Sequence, residues 1–185
     1  MRWRNSGHDY GMVAQALHWL VALLVFVQLG LGLYAAGLPL GIARLEWLSR
    51  HKSLGLAVLA LAVVRLAWRV ASPPPAMPVA MSRVERLAAG ATHRMLYALL
   101  ILAPVAGWLY ASAAGLSVNW FGLWLVPDLV PRDVQWAARL KLLHELSVLL
   151  LAVLVAGHIG AALRHALLRR DGVVRRMLPW GGPPS

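Results

Sequence analysis

Four runs of this chain, at about 12–36, 51–70, 93–113 and 142–168, stay apolar for the roughly 20 residues a helix needs to cross about 30 Å of hydrocarbon. Lipid offers a backbone no hydrogen-bond partners, so each run must satisfy its own N–H and C=O groups, and a helix does that within one segment. The composition agrees: 60% of residues are hydrophobic and 14% charged, too apolar a balance for a soluble domain of 185 residues. The pattern predicts an all-α integral membrane protein, a single four-helix transmembrane bundle over residues 1–185. The first run is too long for a secretory signal and no small-residue cleavage site follows a short core.

The connections read differently from the spans. Between the second and third runs, "ASPPPAMPVAMSRVERLAAGA" is a proline-rich linker entering a short polar turn that suits an interfacial helix. Between the third and fourth, "GLSVNWFGLWLVPDLVPRDVQWAAR" carries Trp120, Phe121, Trp124 and Trp136, the aromatic signature of a loop lying in the membrane interface rather than a fifth span. Pro104, inside the third run, predicts a kink there, and Gly30 and Gly32 suit close helix packing.

The net charge of +11 would suggest a nucleic-acid partner in a soluble protein, but in a membrane protein such an excess marks the cytoplasmic loops. Two-thirds of the 18 lysines and arginines lie in the N-terminal segment, the linker between spans two and three, the C-terminal tail and the adjoining helix ends. The other two loops hold only Arg44, Arg50, Lys52, Arg132, Arg139 and Lys141. The asymmetry predicts that both termini are cytoplasmic.

Seven histidines fall on this topology. His144 and His158 share the fourth run, fourteen residues apart; on a helix they stand about 21 Å apart along the axis and within about 40° of one face. His51 opens the second span at the outer face, level with the start of the fourth, and His18 lies a few residues inside the inner end of the first. Depth therefore pairs His51 with His144 outside and His18 with His158 inside. Two levels, each with imidazoles from different helices, suit two haems held by bis-histidine ligation. With no cysteine for covalent attachment or iron–sulfur chemistry, such haems are b-type and non-covalent. Small residues near the ligands, Ala14, Ala22, Gly55, Ala161 and Ala162, would leave room for a flat macrocycle. His93, at the mouth of the third span, rivals His18 as inner ligand but sits some 10 Å shallower than His158, which suits a contact to a haem propionate better. His8 and His165 lie near polar ends and read as solvated or headgroup residues.

Other readings of the same residues stay open. A lone histidine on an apolar helix is commonly a hydrogen-bonded packing residue, and buried imidazoles also serve proton relays in haem-free transporters. A relay normally recruits carboxylates, and no span has an Asp or Glu well inside it. Arg65, Arg69, Arg94 and Arg164 read as residues that snorkel to the headgroups, with haem propionates as a second partner.

Four stretches, "ALHWLVALLVF", "RHKSLGLAVLALAVVRLAWR", "HRMLYALLILAPVAGWLYA" and "LHELSVLLLAVLVAGHIGAALRHALLRRDGVVRRMLP", together resemble the bacterial cytochrome b561 family over nearly the whole chain. The resemblance implies a multi-pass, four-helix diheme b-type cytochrome of the bacterial inner membrane, with ligands falling on His18, His51, His144 and His158. It implies electron transfer, in one characterised type from periplasmic superoxide to ubiquinone, and in others with different partners. Beside the outer ligands, Arg50, Lys52, Arg139 and Lys141 would either steer an anion such as superoxide or hold propionates. A haem-bearing membrane anchor for a dehydrogenase, hydrogenase or soluble cytochrome is the alternative within the same resemblance. The short loops between spans favour the self-contained oxidoreductase.

Overall fold

The computed structural model describes residues 2–77 and 81–178, so residues 78–80 of the proline-rich linker lie outside it. Four long helices carry the fold: α1 (Met12–Gly37), α2 (Ile42–Ala71), α3 (Arg83–Ala113) and α4 (Val134–Leu163). All four are long and apolar enough to cross a membrane. Their outward leucines and valines, such as Leu33, Leu149 and Val153, are exposed in the protein alone because lipid is their neighbour.

Three helices run further than their apolar spans. α2 begins at Ile42 rather than near residue 51, α3 at Arg83 rather than near 93, and α4 at Val134 rather than near 142. The extra turns are polar or amphipathic, so hydropathy misses them, but two of the three starts, those of α3 and α4, carry a cap visible in the sequence. Ser82 and Glu85 form a capping box at the start of α3, and the Asp133 carboxylate accepts from the N–H groups of Gln135 and Trp136. The short polar stretch before residue 93 is therefore the first turns of α3 and not a separate interfacial helix.

Adjacent helices pack as two pairs, α1 with α2 and α3 with α4, joined through α2 and α3. The backbones of α1 and α4, and of α2 and α4, hardly approach one another among the described residues. A central apolar layer of Val21, Val25, Val58, Ala62, Leu99, Leu100 and Leu151 closes the middle of the bundle. On α4 it lies between His144 and His158, and on α2 it lies beyond His51.

The aromatic loop is a small antiparallel hairpin, β1 (Val118–Trp120) with β2 (Trp124–Val126), Trp120 facing Trp124. Its tip turns through left-handed Phe121 and Gly122. Ser53 of α2 pins the hairpin by donating to the Asn119 carbonyl and accepting from the Phe121 N–H, and Lys52 Nζ donates to the carbonyls of Leu116 and Ser117. Leu123, Trp124 and Leu125 stay exposed, as an interface-lying element requires.

The described N- and C-terminal segments meet at the other end of the bundle and are strapped together. Trp19 Nε1 donates to the Met177 carbonyl, and Gln15 Nε2 to those of Arg176 and Leu178. α4 continues as a π-helical turn, Arg164–Arg169, whose Arg164 and Arg169 both bond Glu85 of α3.

Candidate haem-binding site

Four helices bring five imidazoles into two groups. At the hairpin end, the ring centroids of His51 on α2 and His144 on α4 stand 6.2 Å apart with the planes at 80°. At the termini end, His18 on α1 and His158 on α4 are 6.3 Å apart at 62°. His93 of α3 approaches His158 from the other side at 5.3 Å.

The pairing suits a bis-histidine iron. Two iron–nitrogen bonds of about 2 Å, with ring nitrogens about 1 Å from their centroids, place such rings about 6 Å apart. His51–His144 and His18–His158 match that spacing; His93–His158 is about 1 Å short of it. The rings meet although α4 keeps its backbone away from α1 and α2.

Tautomers sharpen the comparison. His144 Nδ1 donates to the Ala103 carbonyl at 2.8 Å, which leaves the Nε2 lone pair for a metal. Gly107 permits that approach: a Cβ there would lie 3.1 Å from the His144 ring. His51 packs in the same way on Gly32, where a Cβ would lie 3.0 Å from Cε1. Gly32 thus clears space for an imidazole. Gly55, four residues after His51, leaves no such clearance, because the Gln28 amide fills its open side.

The termini end is arranged differently. Arg65 reaches inward and donates to His18 Nδ1 at 2.8 Å, its guanidinium also lying 5.1 Å from the Tyr97 ring centre. Hydropathy alone assigns Arg65 to the headgroups; the neighbouring imidazole and phenol offer it a partner inside. The bond puts the ring proton of His18 on Nε2, so binding iron through that nitrogen requires His18 to exchange its Arg65 contact. His93, read from sequence as a mouth residue, is the eleventh residue of α3, because the helix starts ten residues earlier than its apolar span. His165 is buried rather than solvated, and its Nδ1 bonds the Asp171 carboxylate at 2.5 Å. Burial pushes the Asp171 carboxyl up, but the bonds from His165 and the Val173 N–H outweigh it and hold the group below its ordinary value.

The basic residues flanking the outer pair have separate partners. Lys52 braces the hairpin, Lys141 pairs with Glu145 at 3.1 Å, Arg50 lies over Trp47 and Arg139 over Trp136. Arg94, on α3, is exposed.

A four-helix membrane bundle with paired imidazoles at two levels defines the class of membrane-embedded b-type cytochromes. The comparisons give the family. The chain matches Prokaryotic cytochrome b561 over residues 9–180, and it belongs to that family. It is 33% identical to "Cytochrome b561 homolog 2" of Escherichia coli (strain K12), the match covering 96% of this chain and 95% of the relative. It is 28% identical to "Probable superoxide oxidase CybB" of Yersinia pestis, covering 92% and 96%. The protein is therefore a multi-pass cytochrome of the bacterial inner membrane that carries electrons through b-type haem.

Proposed function

We propose that this chain is a diheme cytochrome moving single electrons across the membrane between a periplasmic donor and a quinone. His51 and His144 hold the outer haem, and His18 and His158 the inner one. The hairpin end faces the periplasm and both termini the cytoplasm. The observation that carries the reading is the pair of imidazole separations, 6.2 and 6.3 Å, at two levels on either side of an apolar layer.

Haem supplies reversible one-electron chemistry, while the protein sets position, potential and access. His144 is held in the ligating tautomer by the Ala103 carbonyl, and Gly32 and Gly107 let both outer rings sit close against α1 and α3. The central valines and leucines keep water from the space between the two levels. Arg50, Lys52 and Arg139 place positive charge around the outer end, which favours an anionic donor such as superoxide. The relative from Yersinia pestis, named a probable superoxide oxidase, supports that donor; the acceptor we propose with it is ubiquinone.

The test is purified protein in detergent given a superoxide flux and a short-chain ubiquinone. The reading expects reduction of the b haems by superoxide and formation of quinol. Haems that stay oxidised under superoxide, yet are reduced by a soluble dehydrogenase or cytochrome, would turn the assignment to the membrane-anchor alternative.

A further inference from the structure

Three buried side-chain polar atoms have no hydrogen-bond partner among the described residues, and two of them belong together: Gln28 Oε1 and His51 Nδ1. Buried polar groups are nearly always satisfied, so such a pair needs a reason. Gln28 sits in the apolar stretch of α1 facing α2, and its Nε2 donates to the main-chain carbonyl of His51 at 2.7 Å. A carbonyl only accepts, so this contact fixes the amide with nitrogen towards the backbone and Oε1 as the free end. An amide oxygen can only accept. His51 Nδ1 can donate once its other nitrogen is committed to a metal.

The second helix pair shows the same arrangement completed. His144 lies on Gly107, and its Nδ1 finds an acceptor on Ala103, one helical turn before that glycine. His51 lies on Gly32, whose Cβ would be 3.3 Å from Nδ1, and the residue one turn before Gly32 is Gln28. We propose that Gln28 is the positioning residue of His51: Oε1 accepts the Nδ1 proton while Nε2 holds the backbone carbonyl of the same residue. One amide then clamps the ligand at two points and presents Nε2 to iron. The assignment rests on His51 being an outer-haem ligand.

Ligand basicity gives the test, since a histidine whose Nδ1–H is well accepted donates more strongly and favours ferric iron. Optical redox titration of the haem-loaded protein would compare the wild type with Gln28→Met, which keeps the length and removes the acceptor, and Gln28→Glu, which strengthens it. The outer haem is identified as the signal lost in His144→Ala. Gln28→Met should raise the outer potential by about tenfold in the reduction equilibrium, about 59 mV for one electron, and Gln28→Glu should lower it. The inner haem should not move. Shifts of the same sign in both variants, or equal shifts at both haems, indicate a merely structural residue and overturn the proposal. An outer potential unchanged in both variants also overturns it and leaves the Gln28 main-chain carbonyl as the acceptor. If Gln28→Met does not assemble, the sign in Gln28→Glu decides alone. Failure of the underlying reading is separate: His51→Ala would then retain both low-spin haems whatever Gln28 does.

Discussion

Arg65 of α2 donates to Nδ1 of His18 on α1 at 2.8 Å, so a cation holds the imidazole proposed as an inner ligand. Iron ligation through Nε2 would release that guanidinium while keeping it nearby. Its charge would then favour the reduced haem. Arg65→Met should keep the inner haem and lower its potential, by roughly 1 kcal/mol once solvent screening is allowed for. Redox titration checks the direction; a raised potential would mean that Arg65 acts on His18 and not on the iron.

His18 and His93 are separated by a second pair of variants. Both rings flank His158, at 6.3 and 5.3 Å, and only the wider spacing leaves room for an iron between nitrogens. His18→Ala should abolish the inner low-spin haem, whereas His93→Ala should retain a bis-histidine signal with at most a shifted potential. Electron paramagnetic resonance on both distinguishes them. A missing inner haem in His93→Ala, with His18→Ala intact, would reverse the assignment.

Gly107 is a backbone position on which the outer pair depends: a Cβ there would lie 3.1 Å from the His144 ring. A branched side chain there would drive into the His144 ring and break its contact to Ala103, with an overpacking cost of about 1–3 kcal/mol. Gly107→Val should lower outer-haem occupancy and spare the inner haem, read as haem per chain by pyridine haemochrome. Equal loss of both haems would indicate general unfolding instead.

Orientation has its own test. Reporter fusions after residue 185 and within 72–90 should read cytoplasmic, and fusions within 115–135 periplasmic, from the distribution of arginine and lysine. A periplasmic C-terminus would exchange the inner and outer labels without altering which histidines pair.

Much of this architecture was legible in the amino-acid sequence because lipid leaves so few options. Uninterrupted apolar length forces helices, and the fourteen-residue interval on α4 sets two levels on one face. Hydropathy alone misses three helix starts, although the Ser82–Glu85 box and the Asp133 cap mark two of them. His93 looks shallow for the same reason, since α3 starts at Arg83. Other features depend on which partner a side chain meets across helices, and no periodicity encodes that. Arg65 turned inward because His18 and Tyr97 await it, His165 was buried by Asp171 folding back, and Gln28 came to fill the space beside Gly55.

The central claim is that two histidine pairs hold two haems, and the haem count of purified protein and its variants addresses it most directly. The account predicts two low-spin b haems per chain, extractable by acid acetone. It predicts one remaining in His144→Ala and the other remaining in His18→Ala. A wild-type ratio near one haem per chain, or loss of the same haem in both variants, would contradict it.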